Sequence, residues 1–189
     1  MTARFHVLAL CGSLRAASIN AALLRAAARL APSPMVVDVF SGMGRLPLFN
    51  PDDEVELPSA AQALRDAVAG ADALLIASPE YAHGVSGTIK NALDWLVSFE
   101  PFVRKPVAVW NASPRAHHAD DALRETLKTM SAAIIDTASP SIPLLGAHLG
   151  EDGIVESPTI SNAIRAALQA LHDEIVREPR QHGPSFPLN

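Results

Sequence analysis

The sequence is poor in cysteine, in aromatic residues and in long apolar runs. Cys11 is the only cysteine among 189 residues, which excludes an intrachain disulfide and is typical of a reducing compartment. No stretch approaches the roughly 18 apolar residues of a membrane span. The apolar run at residues 7–11 is too short for the core of a signal peptide, and Arg15 follows it closely. We therefore expect a cytoplasmic protein with no membrane partner.

The chain also lacks an excess of basic charge. Its 15 Lys and Arg residues are outnumbered by 20 Asp and Glu residues, for a net charge of −5, whereas nucleic-acid binding needs clustered cations. Nucleic acid is therefore not an expected partner. Hydrophobic residues make up 49% of the sequence, the balance of a globular chain with a substantial core. We expect one domain over residues 1–177 and a loose, proline-rich tail over residues 178–189.

Short apolar runs alternate with helical patterns along the chain. Strands are predicted at residues 5–11, 35–40, 72–78, 106–111 and 141–145, with residues 134–136 ambiguous. Helices are predicted at residues 18–30, 59–69, 86–97, 120–133 and 158–176, with Gly70 following the second as its C′ residue. This alternation predicts βαβ units, and hence an α/β three-layer sandwich with helices on both faces of a five-stranded parallel sheet. In the strand order 2-1-3-4-5, ligands bind at the carboxyl ends of strands 1 and 3.

The loop after the first strand contains the groups of an anion site. Residues 12–20 include the hydroxyls of Ser13 and Ser18, the amide of Asn20 and the guanidinium of Arg15. The start of the following helix adds unpaired N–H groups and the positive end of the helix dipole. The alternative is that Ser18 only caps the helix and Arg15 is a solvated surface charge. The position at the predicted reversal of winding favours phosphate binding.

Several other phosphate-handling loops do not match this one. There is no G-x-x-x-x-G-K-[ST] sequence, and Gly12 stands alone where a dinucleotide fingerprint needs three glycines. A phosphatase loop beginning at Cys11 would need an arginine where Ala17 stands, and Arg15 comes two positions too early. A receiver domain would need acidic residues after strand 1, where Ser13 stands. The loop therefore predicts phosphate binding without chemistry on the phosphate.

Three motifs resemble those of the NADPH-dependent FMN reductases, a flavodoxin-like family that includes quinone, azo-dye and chromate reductases. The first is Gly12-Ser-Leu-Arg-x-x-Ser-x-Asn20. The second is Ser78-Pro-Glu-Tyr-x-x-Gly84, followed by Lys90-Asn-Ala-Leu-Asp-Trp95. The third is Lys105-Pro-Val-Ala-Val109, followed by Ala112-Ser-Pro114. Their order and spacing agree over residues 5–115, and the resemblance continues more weakly to Gly153.

The resemblance implies a set of cofactor-binding residues in these loops. The FMN phosphate would be held by the first loop, at Ser13, Arg15, Ser18, Ile19 and Asn20. The isoalloxazine would lie against the second loop and one residue of the third, at Pro79, Glu80, Tyr81, Ala82, His83, Gly84 and Ser113. Hydride would pass from NADPH or NADH to the flavin and then to a small-molecule electron acceptor. FMN carries that chemistry, so we nominate no catalytic residue and no metal ligand. The family also implies a homodimer or homotetramer.

The sequence departs from the family pattern near the expected flavin. Ala82 stands where asparagine is usual, and Asn111 and Arg115 stand where glycines are expected. Side chains at glycine positions crowd a backbone that must approach the cofactor closely. The alternative function is therefore a flavodoxin-like FMN-binding or regulatory protein with little turnover. An electron carrier is less favoured, because a net charge of −5 is mild for that class.

Four other side chains, three histidines and the cysteine, are weaker candidates for a functional role. His83 lies in the second loop, where it could gate the nicotinamide or the acceptor, or simply face solvent. His117 and His118 are adjacent, so their side chains diverge, and no acidic or thiol partner lies at ligand spacing. Cys11 ends a predicted buried strand and is expected to be a small core residue.

Overall fold

A computed structural model of the chain describes residues 4–113, 115–144 and 146–177. The predicted tail at 178–189 lies outside the described residues, as do Pro114 of the third motif and Leu145, the end of the predicted fifth strand. Within the described ranges, no helix has both the length and the apolarity to cross a lipid bilayer.

The main sheet has five parallel strands in the order β2-β1-β3-β6-β7. The strands, together with a separate two-stranded hairpin formed by β4 and β5, are β1 (Phe5–Cys11), β2 (Met35–Val39), β3 (Ala73–Ala77), β4 (Glu80–Tyr81), β5 (Gly84–Val85), β6 (Pro106–Trp110) and β7 (Ala133–Ile134). Since β6 and β7 are the fourth and fifth strands of the main sheet, the predicted order 2-1-3-4-5 is confirmed.

The helices connect these strands and pack on the sheet. They are α1 (Ile19–Leu30), α2 (Ser59–Gly70), α3 (Gly87–Asp94), α4 (His117–Thr129), α5 (Glu151–Glu156) and α6 (Pro158–Arg177). Alternate side chains of β1 enter different cores: Val7 and Ala9 pack with α1 and α6, whereas Leu8 and Leu10 pack with α2 and α3. Both faces of the central strand are therefore buried, as the continuous apolar run predicts.

The fifth strand lies earlier in the chain than predicted. It is Ala133–Ile134, within the neighbourhood that the sequence left ambiguous, and not residues 141–145. A short 3-10 turn, Asp136–Ala138, follows it, and Trp110 Nε1 donates to the Ala138 carbonyl at 2.8 Å. Ser141 then forms only an isolated bridge with Asn111, continued by the Leu144 N–H donating to Ala112 O at 3.0 Å. Two segments therefore pair with the edge of β6. Only Ala133–Ile134 forms a strand there, although the predicted segment at residues 141–145 is the longer apolar run.

Helix boundaries also differ from the predictions. Helix α4 begins at His117 and ends at Thr129, which places it three to four residues earlier than expected. Helix α5 was missed, because six residues that include Gly153 carry no 3.6-residue apolar period. Contacts with α1 hold it: Arg25 Nε lies 2.7 Å from Glu151 Oε2, and Arg29 Nη1 lies 2.6 Å from Asp152 Oδ1. Gly70 is the last residue of α2 and not its C′ residue.

Candidate functional site

A cavity of about 260 Å³ opens at the carboxyl ends of β1, β3 and β6. Its lining comes from the three loops that follow these strands, at Ile19, Asn20, Ser78, Pro79, Glu80, Asn111, Ala112, Ser113, Arg115 and Ala116. The cavity is where the strand order predicts a ligand. Five of the predicted site residues line it directly, namely Ile19, Asn20, Pro79, Glu80 and Ser113. The other seven predicted site residues lie in the first and second loops but are not part of the cavity lining.

The first loop ends in a capped helix. The Ser18 hydroxyl is buried and accepts from the Ala21 N–H at 3.3 Å, which confirms Ser18 as the N-cap of α1. The Ser13 hydroxyl accepts from the Arg15 N–H at 3.4 Å, while the Arg15 side chain is exposed. Both hydroxyl oxygens are thereby oriented by the backbone, and a cation stands at the outer edge of the loop.

Asn20 carries a buried acceptor without a protein partner. Among the described residues, no group hydrogen-bonds its Oδ1 atom, although Asn20 is only 5% exposed. A buried unpaired acceptor costs about 1–3 kcal/mol. Because Asn20 lines the cavity, a ligand hydroxyl fits this oxygen; after a 180° rotation of the amide, the Nδ2 group would face an anionic ligand oxygen instead.

Gly12 brings the first and second loops into contact. A Cβ atom at this position would lie 2.2 Å from Ser78 Oγ and 2.9 Å from Ser78 Cα, so only glycine allows this approach. The Gly12 N–H donates to Ala77 O at 2.8 Å, and the Ser86 hydroxyl donates to Gly12 O at 2.6 Å. Ser86 also caps α3 by accepting from the Ile89 N–H at 3.2 Å. The two loops are therefore fixed relative to each other.

The second loop folds as a tight hairpin that the sequence did not predict. Glu80 pairs with Val85, and Tyr81 with Gly84. The two turn residues both have positive φ, +50° at Ala82 and +60° at His83, which is the signature of a type I′ turn. Asparagine tolerates this conformation better than alanine, so the asparagine usual in the family suits the backbone here. Tyr81 is 59% exposed.

Glu80 joins the second loop to the start of α4. Its Oε2 atom accepts from the Ala119 N–H at 2.9 Å, and its Oε1 atom lies 3.4 Å from His83 Nδ1. The Ala119 hydrogen bond is the main reason that the Glu80 pKa lies below its usual value; partial burial opposes this shift, and His118, His83 and His117 add smaller lowering effects. Glu80 therefore stays ionised beside the cavity at neutral pH.

The third loop is closed by Asn111 itself. Its Oδ1 atom accepts from the Ser113 N–H at 2.8 Å, and its Nδ2 atom donates to Ala116 O at 3.2 Å. The side chain thus stabilises the loop in place of the flexible glycine expected there. Arg115 is exposed and adds a guanidinium to the cavity lining. The sequence predicts that Asn111 and Arg115 crowd the cofactor, and it does not nominate them as site residues. Their position at the carboxyl end of β6 is the signal that they line the cavity.

Histidines cluster outside the cavity without forming a metal site. The His83 and His118 rings are 4.5 Å apart at 81°. The His117 and His118 rings are 4.0 Å apart, so the expectation that these two adjacent side chains diverge is wrong. Over residues 4–113, 115–144 and 146–177, no three His, Cys, Asp or Glu side chains are arranged to hold a metal ion. Cys11 is buried, and burial raises the pKa of its thiol, so the group is protonated at neutral pH.

Comparisons with known proteins agree with this geometry. The sequence model of a family described as NADPH-dependent FMN reductase matches residues 5–144. A quinone reductase of Escherichia coli strain K12 is 34% identical over 117 residues, which cover 60% of this chain and 62% of that protein. A quinone reductase of Pseudomonas putida strain KT2440 is 33% identical over 184 residues, covering 92% of this chain and 94% of that protein.

A solved structure supports the fold. The flavoenzyme NAD(P)H:(acceptor) oxidoreductase FerB from Paracoccus denitrificans superposes with a TM-score of 0.79 at 24% identity, covering 92% of this chain and 98% of that one. The chain therefore shares its overall fold with a protein of known structure.

Proposed function

This chain belongs to the NADPH-dependent FMN reductase family, and we propose from this premise that it binds FMN and reduces a small acceptor with NAD(P)H. One observation carries the proposal: Asn20, whose buried Oδ1 atom has no partner among the described residues, lines the cavity at the carboxyl ends of β1, β3 and β6. Asn20 lies in the loop whose sequence resembles a phosphate-binding loop. A ligand hydroxyl would donate to this oxygen, or, with the amide rotated by 180°, the Nδ2 group would donate to a phosphate oxygen.

The first loop would hold the FMN phosphate. The Ser13 hydroxyl already accepts from the Arg15 N–H, which leaves its proton able to donate to a phosphate oxygen. The Ser18 hydroxyl caps α1 and also contacts the Cys11 thiol, so its role would be to fix the start of the helix. The N–H groups at the start of α1, including that of Ile19, and the helix dipole favour an anion. The exposed Arg15 would add a two-pronged, charge-assisted contact.

The second and third loops would flank the flavin ring. The chain from Pro79 to Gly84 would present backbone groups on one side, and Ser113 with Arg115 would stand on the other. Bound FMN would supply the two-electron chemistry, hydride transfer from NAD(P)H and onward reduction of an acceptor. Because relatives over the matched region are quinone reductases, we propose a quinone as the acceptor. We further propose that residues 1–177 form one domain and that the cytoplasmic enzyme is a homodimer or homotetramer.

The proposal is tested by steady-state oxidation of NADPH with a simple benzoquinone, measured with and without added FMN. Oxidation should require FMN and fail without quinone under anaerobic conditions. Asn20→Ala should weaken FMN binding by about ten- to 150-fold, the range for losing one hydrogen bond to a charged group. Asn162→Ala, on the exposed face of α6, is the matched control and should bind FMN normally.

Two outcomes would replace the proposal with another function. FMN binding with no NADPH oxidation by any acceptor would identify a binding or regulatory protein. Flavin reduction only through an added partner reductase would identify an electron carrier.

A further inference from the structure

Glu80 occupies a position between two loops of the cavity. It belongs to β4 in the second loop, yet its carboxylate contacts the first turn of α4, directly after the third loop. Its side chain is only 15% exposed. One carboxylate oxygen accepts from Ala119 and the other lies against His83. Both oxygens are thus engaged with protein groups.

Helix α4 has no side-chain cap of its own. Its N-cap residue is Ala116, which offers no side-chain acceptor for the N–H groups of the first turn. Those N–H groups need an acceptor from elsewhere. Glu80 provides it from a residue 39 positions earlier in the chain, and its negative charge lies at the positive end of the helix dipole.

We propose that Glu80 is a positioning residue, whose carboxylate caps α4 from the second loop and thereby fixes the second and third loops on either side of the cavity. The proposal rests on the proposed function, because what the two loops are positioned for is FMN. Both carboxylate oxygens contact protein groups, Ala119 and His83, so the role assigned to Glu80 acts through the loops. Its backbone remains free to line the cavity while its carboxylate maintains the distance between the loops.

The groups around the carboxylate support this role. His83 from the hairpin turn, together with His117 and His118 from α4, surrounds Glu80. The contact between the His83 and His118 rings adds a second link between the same two elements. Arg115, the only other charged residue that lines the cavity with Glu80 among the described residues, lies in the loop that precedes α4.

The first test measures the cap in the protein without FMN. Hydrogen exchange of the Ala119 amide is followed by NMR in wild type, Glu80→Gln and Glu80→Ala at neutral pH. Glu80→Ala should exchange about two- to thirty-fold faster at Ala119, the range for deleting an N-cap acceptor. Glu80→Gln keeps an acceptor oxygen and should lie between wild type and alanine. Glu125→Gln removes the same charge from an exposed position of α4 and should exchange like wild type.

The second test measures FMN affinity by quenching of flavin fluorescence in the same four proteins. Glu80→Ala should weaken binding about ten-fold, Glu80→Gln should recover most of this loss, and Glu125→Gln should have no effect. Thermal melting of each protein confirms that the variants are folded before the comparison is made.

The outcomes separate this proposal from the proposed function. Unchanged Ala119 exchange in Glu80→Ala would overturn the cap, and unchanged FMN affinity despite faster exchange would overturn the positioning role. Equal loss of FMN binding in Glu80→Gln and Glu80→Ala, with Ala119 exchange preserved in the glutamine variant, would also overturn it, because the charge would then act directly. If wild type binds no FMN, the proposed function and the positioning role fail, whereas the exchange result still decides whether Glu80 caps α4.

Discussion

Single side chains decide whether the first loop can hold a phosphate. Asn20 and Ser18 are buried at the start of α1, so their positions are set by the fold. Arg15 is exposed, so water competes with a ligand for its guanidinium. The sequence was sufficient to nominate all three, because the residue types and the helix start are both visible in it. It was not sufficient to show that none of the described residues hydrogen-bonds the Asn20 oxygen, which depends on packing around the cavity.

Arg15→Ala tests the exposed member of this group. We expect FMN affinity to weaken by about 1.5–3 kcal/mol, the range for a hydrogen bond to a charged group, with solvent screening favouring the lower end. Isothermal titration with FMN at low and high salt measures the dissociation constants. High salt should reduce the difference in FMN affinity between wild type and Arg15→Ala. Arg4→Ala, an exposed cation at the opposite end of β1, is the control. Equal affinities in Arg15→Ala and wild type would remove Arg15 from the site.

Asn111 has a role within its own loop that the residue pattern did not reveal. A glycine was expected, and a larger side chain was interpreted as crowding the cofactor. The structure instead uses both ends of the amide within the loop, at Ser113 N and Ala116 O. Asparagine side chains mimic a backbone turn in this way, so the substitution for glycine can be compensated locally. Sequence alone does not distinguish a side chain that fills a site from one that folds back on its own loop.

At the scale of elements, the predictable parts are those with a strong apolar pattern. β1 and β3 are continuous apolar runs, and each is confirmed over most of its predicted length. The β4–β5 hairpin, α5 and the exact fifth strand were not found. Each is shorter than seven residues, and each is held by contacts from distant elements and not by its own periodicity. The sequence pattern within such short elements predicts their structure poorly, because tertiary contacts outweigh the intrinsic secondary-structure preference of a few residues.

The hairpin turn predicts a stabilising substitution. Ala82 adopts a φ of +50°, which costs an L-residue with a Cβ atom about 1–2 kcal/mol relative to glycine. Ala82→Gly should therefore raise the free energy of unfolding by about 0.5–1 kcal/mol, after the greater flexibility of glycine in the unfolded chain is subtracted. Urea denaturation measures it.

The same change at an ordinary helical position has the opposite sign. Ala63 is exposed in the middle of α2, so Ala63→Gly should lower the free energy of unfolding by about 1 kcal/mol. Equal destabilisation by the two substitutions would show that the Ala82 backbone is not strained in solution.

For the molecule as a whole, acidic pH should be the destabilising direction. The pKa of Glu80 is lowered chiefly by the Ala119 N–H, and that of Glu54 by hydrogen bonds from Ser98 and then Arg65. A carboxyl whose pKa is lower in the folded state stabilises the fold above its unfolded pKa. That contribution is lost as the pH falls through the folded value. Stability should therefore decline as the pH drops below the ordinary glutamate value of 4.5.

Thermal melts between about pH 3 and pH 7 check this pH dependence. The Glu54→Gln and Glu80→Gln double variant should lose less stability on acidification than wild type, because two of the groups that must take up protons are gone. Glu125→Gln should lose as much thermal stability between about pH 7 and pH 3 as wild type does. A double variant that loses as much stability as wild type would show that the acid sensitivity arises from other groups.

FMN-dependent oxidoreductase activity is tested most directly by the visible spectrum of the purified protein loaded with FMN, recorded before and after anaerobic addition of NADPH. We expect flavin absorption bands that remain with the protein through a desalting column, bleach with NADPH and return when a quinone is added. Flavin that elutes separately from the protein, or bound flavin whose bands NADPH leaves unchanged, would contradict this activity.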